Sequence, residues 1–130
     1  MSNDLSKTED SLVSIIQENG ITNLIQPLIK EIYLFDTYIA GTSFIKNHEI
    51  FESLKLNDRL TLQREDNEHD EKAILVLTSK KQKLGYIPKK DNVIFSRLLD
   101  AGKLLNASVK SIDRKKNYYK IIININLVDF

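Results

Sequence analysis

The stretch Ala107-Ser108-Val109-Lys110-Ser111-Ile112-Asp113-Arg114-Lys115-Lys116-Asn117-Tyr118-Tyr119-Lys120-Ile121-Ile122-Ile123-Asn124-Ile125-Asn126-Leu127-Val128 decides the fold class. From residue 118 onward, Tyr119, Ile121, Ile123, Ile125 and Leu127 fall on one side. Lys120, Ile122, Asn124 and Asn126 fall on the other, which is partly polar. A period of two is the signature of a strand with one buried face. Residues 107–112 alternate in the same way, with Ala107, Val109 and Ser111 opposed to Ser108, Lys110 and Ile112. The polar turn at residues 113–117 between the two runs predicts a hairpin.

Working back from the hairpin, Gly102 marks a helix-to-strand boundary. Before it, Asp91 is placed to cap a helix over residues 91–101 whose apolar stripe is Val93, Ile94, Phe95, Leu98 and Leu99. Four further strand-like runs precede that helix. They are residues 32–42, rich in β-branched and aromatic side chains, residues 59–63 with Leu60 and Leu62 on one face, residues 73–78 and residues 83–87. The order of four strands, one helix and two strands, with short polar turns, predicts a mainly β domain. Its expected form is a small antiparallel barrel of about six strands with the helix across one end.

Residues 1–31 read differently. Ser6 stands three residues before Glu9, as in a capping box, and Leu12, Val13, Ile15 and Ile16 recur near helical spacing before Gly20. Leu24, Ile25, Leu28 and Ile29 suggest a second short helix limited by Pro27. The expected organisation is a helical N-terminal extension over residues 1–31, packed on the domain or serving as a docking segment, and a β domain over residues 32–130.

The 130 residues suit one domain with an ordinary core, at 42% hydrophobic and 28% charged. Mean hydropathy is -0.28, and no apolar run approaches the roughly 20 residues that span a bilayer. Met1-Ser2-Asn3-Asp4 lacks the basic and apolar regions of a signal peptide, so no membrane association and a cytoplasmic location are expected. The absence of cysteine excludes disulfides and thiolate metal sites. Net charge is only +1, yet it is unevenly spread. Residues 1–71 carry 6 Lys/Arg against 14 Asp/Glu, net -8, and residues 72–130 carry 13 against 4, net +9. Either the fold gathers a basic face, including Lys89, Lys90, Arg114, Lys115 and Lys116, or the charges mix in three dimensions.

Three blocks then stand in order. They are Tyr38-Ile39-Ala40-Gly41-Thr42-Ser43-Phe44, then residues 60–76 containing Arg64, Asn67, Asp70 and Ala73-Ile74-Leu75-Val76, then Lys83-Leu84-Gly85-Tyr86-Ile87-Pro88-Lys89. Together they resemble the HIRAN domain family, whose pattern is a strand ending in Gly, an L-x-R-x-x-x-N-x-x-D-x-x-A-I-x-V block and G-Y-[IL]-P-K. The resemblance covers roughly residues 38–110 and rests on order and spacing, since no single block is diagnostic.

That resemblance implies an OB-like β-barrel and a domain that captures a single-stranded DNA end with a free 3′-hydroxyl. The family occurs at the front of helicase-like transcription factor ATPases and also alone in bacteria and phages. No ATPase motif stands in this sequence, so a motor partner would be a separate helicase or ATPase chain. Carried over position by position, the resemblance makes Asp70 the acceptor for the terminal 3′-hydroxyl. It makes His69 and Phe44 platforms for bases, and Lys89 a phosphate contact. Tyr86 stands where the best-known member has histidine. Ser43 departs from the pattern, offering a neutral hydroxyl where a basic residue holds backbone phosphate.

Each of these residues also has a structural reading. Residues 67–70 can simply close a turn, Phe44 can be core, Gly85 and Pro88 can shape the approach to the helix, and Lys89 can be a solvated charge. Other chemistry finds little footing. An EF-hand loop starting at Asp66 fails because Glu71 stands where glycine is needed and Leu77 where glutamate is needed. His48 and His69 have no spacing for zinc. Asp58 with Asp70-Glu71-Lys72 loosely resembles a magnesium-dependent nuclease. The expected function is therefore a non-catalytic nucleic-acid binding module without metal or cofactor, with a protein-interaction adaptor as the alternative and the nuclease third.

Overall fold

A computed structural model describes residues 30–129, and the helical calls over residues 1–29 lie outside that range. Residues 32–128 form one compact unit. Six strands make one antiparallel sheet: β1 Lys30–Tyr38, β2 Arg59–Arg64, β3 Ile74–Thr78, β4 Lys83–Tyr86, β5 Leu104–Arg114 and β6 Tyr119–Asp129. Their order across the sheet is β1-β6-β5-β2-β3-β4. Among the described residues the two α-helices are α1, the single turn Glu49–Glu52, and α2, Lys89–Asp100.

The β5–β6 hairpin forms as the alternation predicts. Tyr119, Ile121, Ile123 and Ile125 are buried, and they pack with Val109, Ala107, Leu60, Leu62, Ile74 and Val76 in the core. One local break in the pattern was not visible in the sequence. The register slips between Val109 and Ser111, so that Ile112 pairs with Ile121 rather than following Ser108 onto the outer face. The extra residue is Lys110, a bulge that frees its side chain to reach over β6 to the Asp36 carboxylate on β1. That ammonium hydrogen bond holds the Asp36 carboxyl below its usual range and pushes Lys110 up. The Tyr33 hydroxyl donates to the same carboxylate at 3.0 Å and is itself pushed up.

Helix α2 begins two residues earlier than expected, and Asp91 is not its cap. Pro88 occupies the N-cap position, its φ of -58° suited to the turn, and its carbonyl accepts from the Asp91 and Asn92 amides at 2.9 and 3.0 Å. Asp91 instead sits in the first turn, where a negative charge is favoured by the helix dipole. Its Oδ2 accepts from the buried Thr37 hydroxyl at 2.7 Å. The apolar stripe is also corrected: Phe95 is buried with Asn92 and Ser96, and Leu98 and Leu99 are half-buried, whereas Val93 and Ile94 face solvent. The Phe95 ring stacks on Phe35 of β1 at 5.2 Å. Helix α2 ends as Gly102 and Lys103 return their amides to the Leu99 and Leu98 carbonyls, each at 3.0 Å.

The sequence reading missed α1, whose four residues are too few to show a helical period. Its Phe51 is fully buried and stacks on Tyr119 at 4.8 Å. The Tyr119 hydroxyl is buried with no hydrogen-bond partner among the described residues. A buried hydroxyl left unpaired costs more than it contributes. Tyr119→Phe is therefore expected to keep the stack and to be neutral to stabilising, by up to about 1 kcal/mol. Chemical denaturation of both proteins checks this, and a clear loss of stability would show that the hydroxyl has a partner.

Candidate nucleic-acid interface

Where β1 ends, the chain runs through Ala40 and Gly41 into a 3-10 turn at Thr42–Phe44. Ala40 and Tyr86 of β4 exchange two backbone hydrogen bonds, at 2.8 and 2.9 Å. These bring the Gly41–Phe44 turn against β4. The approach is close because residue 85 is glycine: a Cβ there would lie 2.3 Å from the Ala40 carbonyl oxygen and 2.7 Å from Ile39 Cγ2. Gly41, with φ of +79°, sits between the Phe44 and Tyr86 rings.

This junction forms one wall of a cleft of about 330 Å³, lined by Phe44, His69, Asp70, Lys83, Tyr86 and Lys89 among others. Five of the six residues singled out in the sequence thus meet in one place, although they come from the 3-10 turn, the β2–β3 loop, β4 and the start of α2. Ser43 is the exception and lines a neighbouring cleft. Phe44 is 85% exposed, which removes the core reading for it. His69 is equally open, with a Glu68 carboxylate oxygen 3.8 Å from its Nε2. Lys89, Lys90, Arg114, Lys115 and Lys116 are all exposed, as expected of them individually.

The β2–β3 loop is built by its own polar side chains. The Asn67 Oδ1 accepts from the His69 amide at 2.8 Å, and the Asp70 amide donates to the Asn67 carbonyl at 3.1 Å. The Asp70 Oδ1 in turn accepts from the Lys72 amide at 3.0 Å. Asp70 therefore does close a turn. Its Oδ2 also accepts from the side-chain amide of Asn92, a buried residue of α2, at 2.8 Å. Two donors leave the carboxylate with acceptor capacity to spare, since two oxygens offer about four lone-pair directions. The turn role and an acceptor role are compatible in one residue.

Besides Asn92, three supporting residues escaped the sequence reading. Glu65 Oε1 accepts from the Tyr86 hydroxyl at 2.9 Å and from the side-chain amide of Asn67 at 3.0 Å, fixing the ring and the loop together. The Lys83 ammonium donates to the Tyr86 hydroxyl at 2.9 Å and lies 4.5 Å from that ring's centre. Arg64 clamps the loop from behind, donating to the Ala73 and Glu71 carbonyls, each at 2.8 Å, and to Asp100 at 2.9 Å. Arg64 is the arginine of the second block, so its position was legible but its task was not. Asn92 and Glu65 carried no signal that local pattern alone reveals.

Asp58 lies in a different cleft, where its Oδ2 accepts from the Lys55 amide at 2.8 Å, so the nuclease pairing with Asp70 is not assembled. Among the described residues no group of three or more His, Asp or Glu side chains is placed to hold a metal ion. No helix among them is long and apolar enough to cross a membrane.

The HIRAN domain profile matches residues 32–128. No curated protein matches the sequence. Among solved structures, a protein from Lactobacillus plantarum is similar at a TM-score of 0.73 and 25% identity, over 78% of this chain and 99% of that one. The HIRAN domain of human HLTF is similar at a TM-score of 0.62 and 16% identity, over 77% of this chain and 78% of that one. The DNA-bound conformation of the HLTF HIRAN domain is similar at 0.56 and 14% identity, over 76% and 79%. At 16% and 14% the likeness is one of fold.

Proposed function

The chain belongs to the HIRAN domain family, and from that premise we propose that it is a DNA-binding module that takes single strands at or near a free 3′-hydroxyl end. The observation that carries the proposal is the convergence of Phe44, His69, Asp70, Tyr86 and Lys89 on one cleft. The DNA-bound conformation of the similar HLTF domain supports it. In this reading the exposed Phe44 and His69 rings take base faces, since stacking tolerates any base. Lys89, at the start of α2, meets a backbone phosphate. Asp70 accepts the hydrogen bond of the terminal hydroxyl, and its charge repels a terminal phosphate. The module binds and does not catalyse, and a helicase or ATPase is its expected partner. The Ala40–Tyr86 pair supports reading the sheet as an OB-like barrel.

Fluorescence anisotropy with labelled oligonucleotides tests the proposal, comparing 3′-hydroxyl, 3′-phosphate and duplex ends across a salt series. Preference for the free 3′-hydroxyl strand and affinity that falls with salt are expected. Equal affinity for blocked and free ends would remove the end-capture role, and salt-insensitive or absent binding would favour the protein-interaction adaptor. Lys89→Ala is expected to weaken all single strands alike and to reduce the salt slope by about 0.7, the value for one phosphate contact on a single strand. Because Lys89 is exposed, the melting temperature should not move. A loss confined to 3′-hydroxyl ends would contradict the phosphate role.

A further inference from the structure

The cleft lined by Ser43 is not a separate hollow. It holds about 400 Å³ and shares Ala40 and Gly41 with the first cleft, so the two open on either side of the same short segment. Its other walls bring Tyr38 of β1 together with Tyr118 and Lys120 of the β5–β6 hairpin. Tyr38 and Tyr118 are 41% and 46% exposed, so two phenol rings sit half in water around one depression. The strand alternation that buries Tyr119 turns Lys120 outward. Lys90 lies 5.5 Å from the centre of the Tyr38 ring, although Asp91 at 3.9 Å offsets its charge.

The two clefts differ in whether a carboxylate lines them. The first contains the Asp70 carboxylate, while among the described residues no aspartate or glutamate lines the second. A carboxylate suits a terminal hydroxyl and opposes phosphate. A cleft with aromatic rings, a lysine and no acid among its described lining suits the phosphate-linked interior of a strand, where bases stack and a cation tracks the backbone. We propose that the second cleft is a subsite for the nucleotides leading into the 3′ terminus, with Tyr38 and Tyr118 as base platforms and Lys120 as the phosphate contact. Lys120 thereby supplies, from β6, a cation to the cleft where Ser43 offers only a hydroxyl. The inference rests on reading the first cleft as the end-binding pocket.

The test compares a 3′-hydroxyl dinucleotide with an octanucleotide, using the wild-type protein and the double variant Tyr118→Ala with Lys120→Ala. Wild type is expected to bind the octanucleotide more tightly. The double variant is expected to lose that gain, about tenfold or more given what one stacked base contributes, and to bind the dinucleotide as wild type does. Tyr118→Phe alone should retain octanucleotide binding, since the ring and not the hydroxyl is the platform. Both positions are exposed, so unchanged melting temperatures show that the variants are folded. Equal wild-type affinity for the two lengths, or equal losses on both lengths in the variant, would overturn the subsite while leaving the end pocket standing. Failure of wild type to bind either oligonucleotide would overturn the end pocket and the subsite together.

Discussion

Asp70→Asn is expected to fold normally and to bind a free 3′-hydroxyl strand about tenfold or more weakly, because a hydrogen bond to a charged group contributes roughly 1.5–3 kcal/mol. The fold survives for a specific reason. The asparagine oxygen can remain toward the Lys72 amide, which Asp70 Oδ1 now accepts at 3.0 Å. The new amino group then faces the side chain of Asn92, which donates to Oδ2 at 2.8 Å. A half-turn of the Asn92 amide replaces that donor with an acceptor, so the pair is restored with reversed polarity. What cannot be restored is the negative charge. Discrimination against a 3′-phosphate should therefore relax in the variant, since the repelling group has gone. Anisotropy titrations with 3′-hydroxyl and 3′-phosphate strands measure both effects. A variant that melts at a lower temperature but keeps the wild-type preference would mean that Asp70 only closes its turn.

Gly85→Ala is expected to cost the most stability of any single methyl added to this domain. The new carbon would lie 2.3 Å from the Ala40 carbonyl oxygen, a backbone atom that cannot swing aside, and 2.7 Å from Ile39 Cγ2. Relief requires β4 and residues 39–41 to separate, which breaks the paired Ala40–Tyr86 hydrogen bonds and parts Tyr86 from the Gly41–Phe44 turn. Overpacking of this kind costs about 1–3 kcal/mol or more. At the upper figure the melting temperature falls by roughly 12–24 °C for a domain of this size. Circular dichroism melting checks the expectation, and a shift of only a few degrees would mean that the strands are less tightly joined. DNA binding should fail in parallel, as the same movement opens the cleft wall.

The two substitutions differ in how far the sequence foretold them. In the Gly85-Tyr86-Ile87-Pro88-Lys89 block the sequence offered Gly85 as a residue that shapes the approach to the helix, and the resemblance to a family offered Lys89 as a phosphate contact. The contact that constrains the glycine lies with Ala40, more than forty residues earlier, and no local pattern encodes it. Asp70 could be read as a turn residue or as a ligand acceptor, and the structure shows the turn: one carboxylate oxygen accepts within it and the other meets Asn92, with acceptor capacity to spare.

By itself the sequence determined the six strands, the helix between the fourth and fifth, and the inner face of β6. These follow from side-chain periods of two and from near-helical spacing, which act over a few neighbouring residues. The tertiary structure alone decided which strands lie side by side, the bulge at Lys110 that turns Ile112 inward, and the transfer of Asp91 from cap to Thr37 partner. It also decided that Phe44 is exposed beside Tyr86 while Ser43, its neighbour in the chain, opens into another cleft. The reason is register: pairing between distant segments sets which side chains share a cavity, and a slip of one residue exchanges the two faces of a strand.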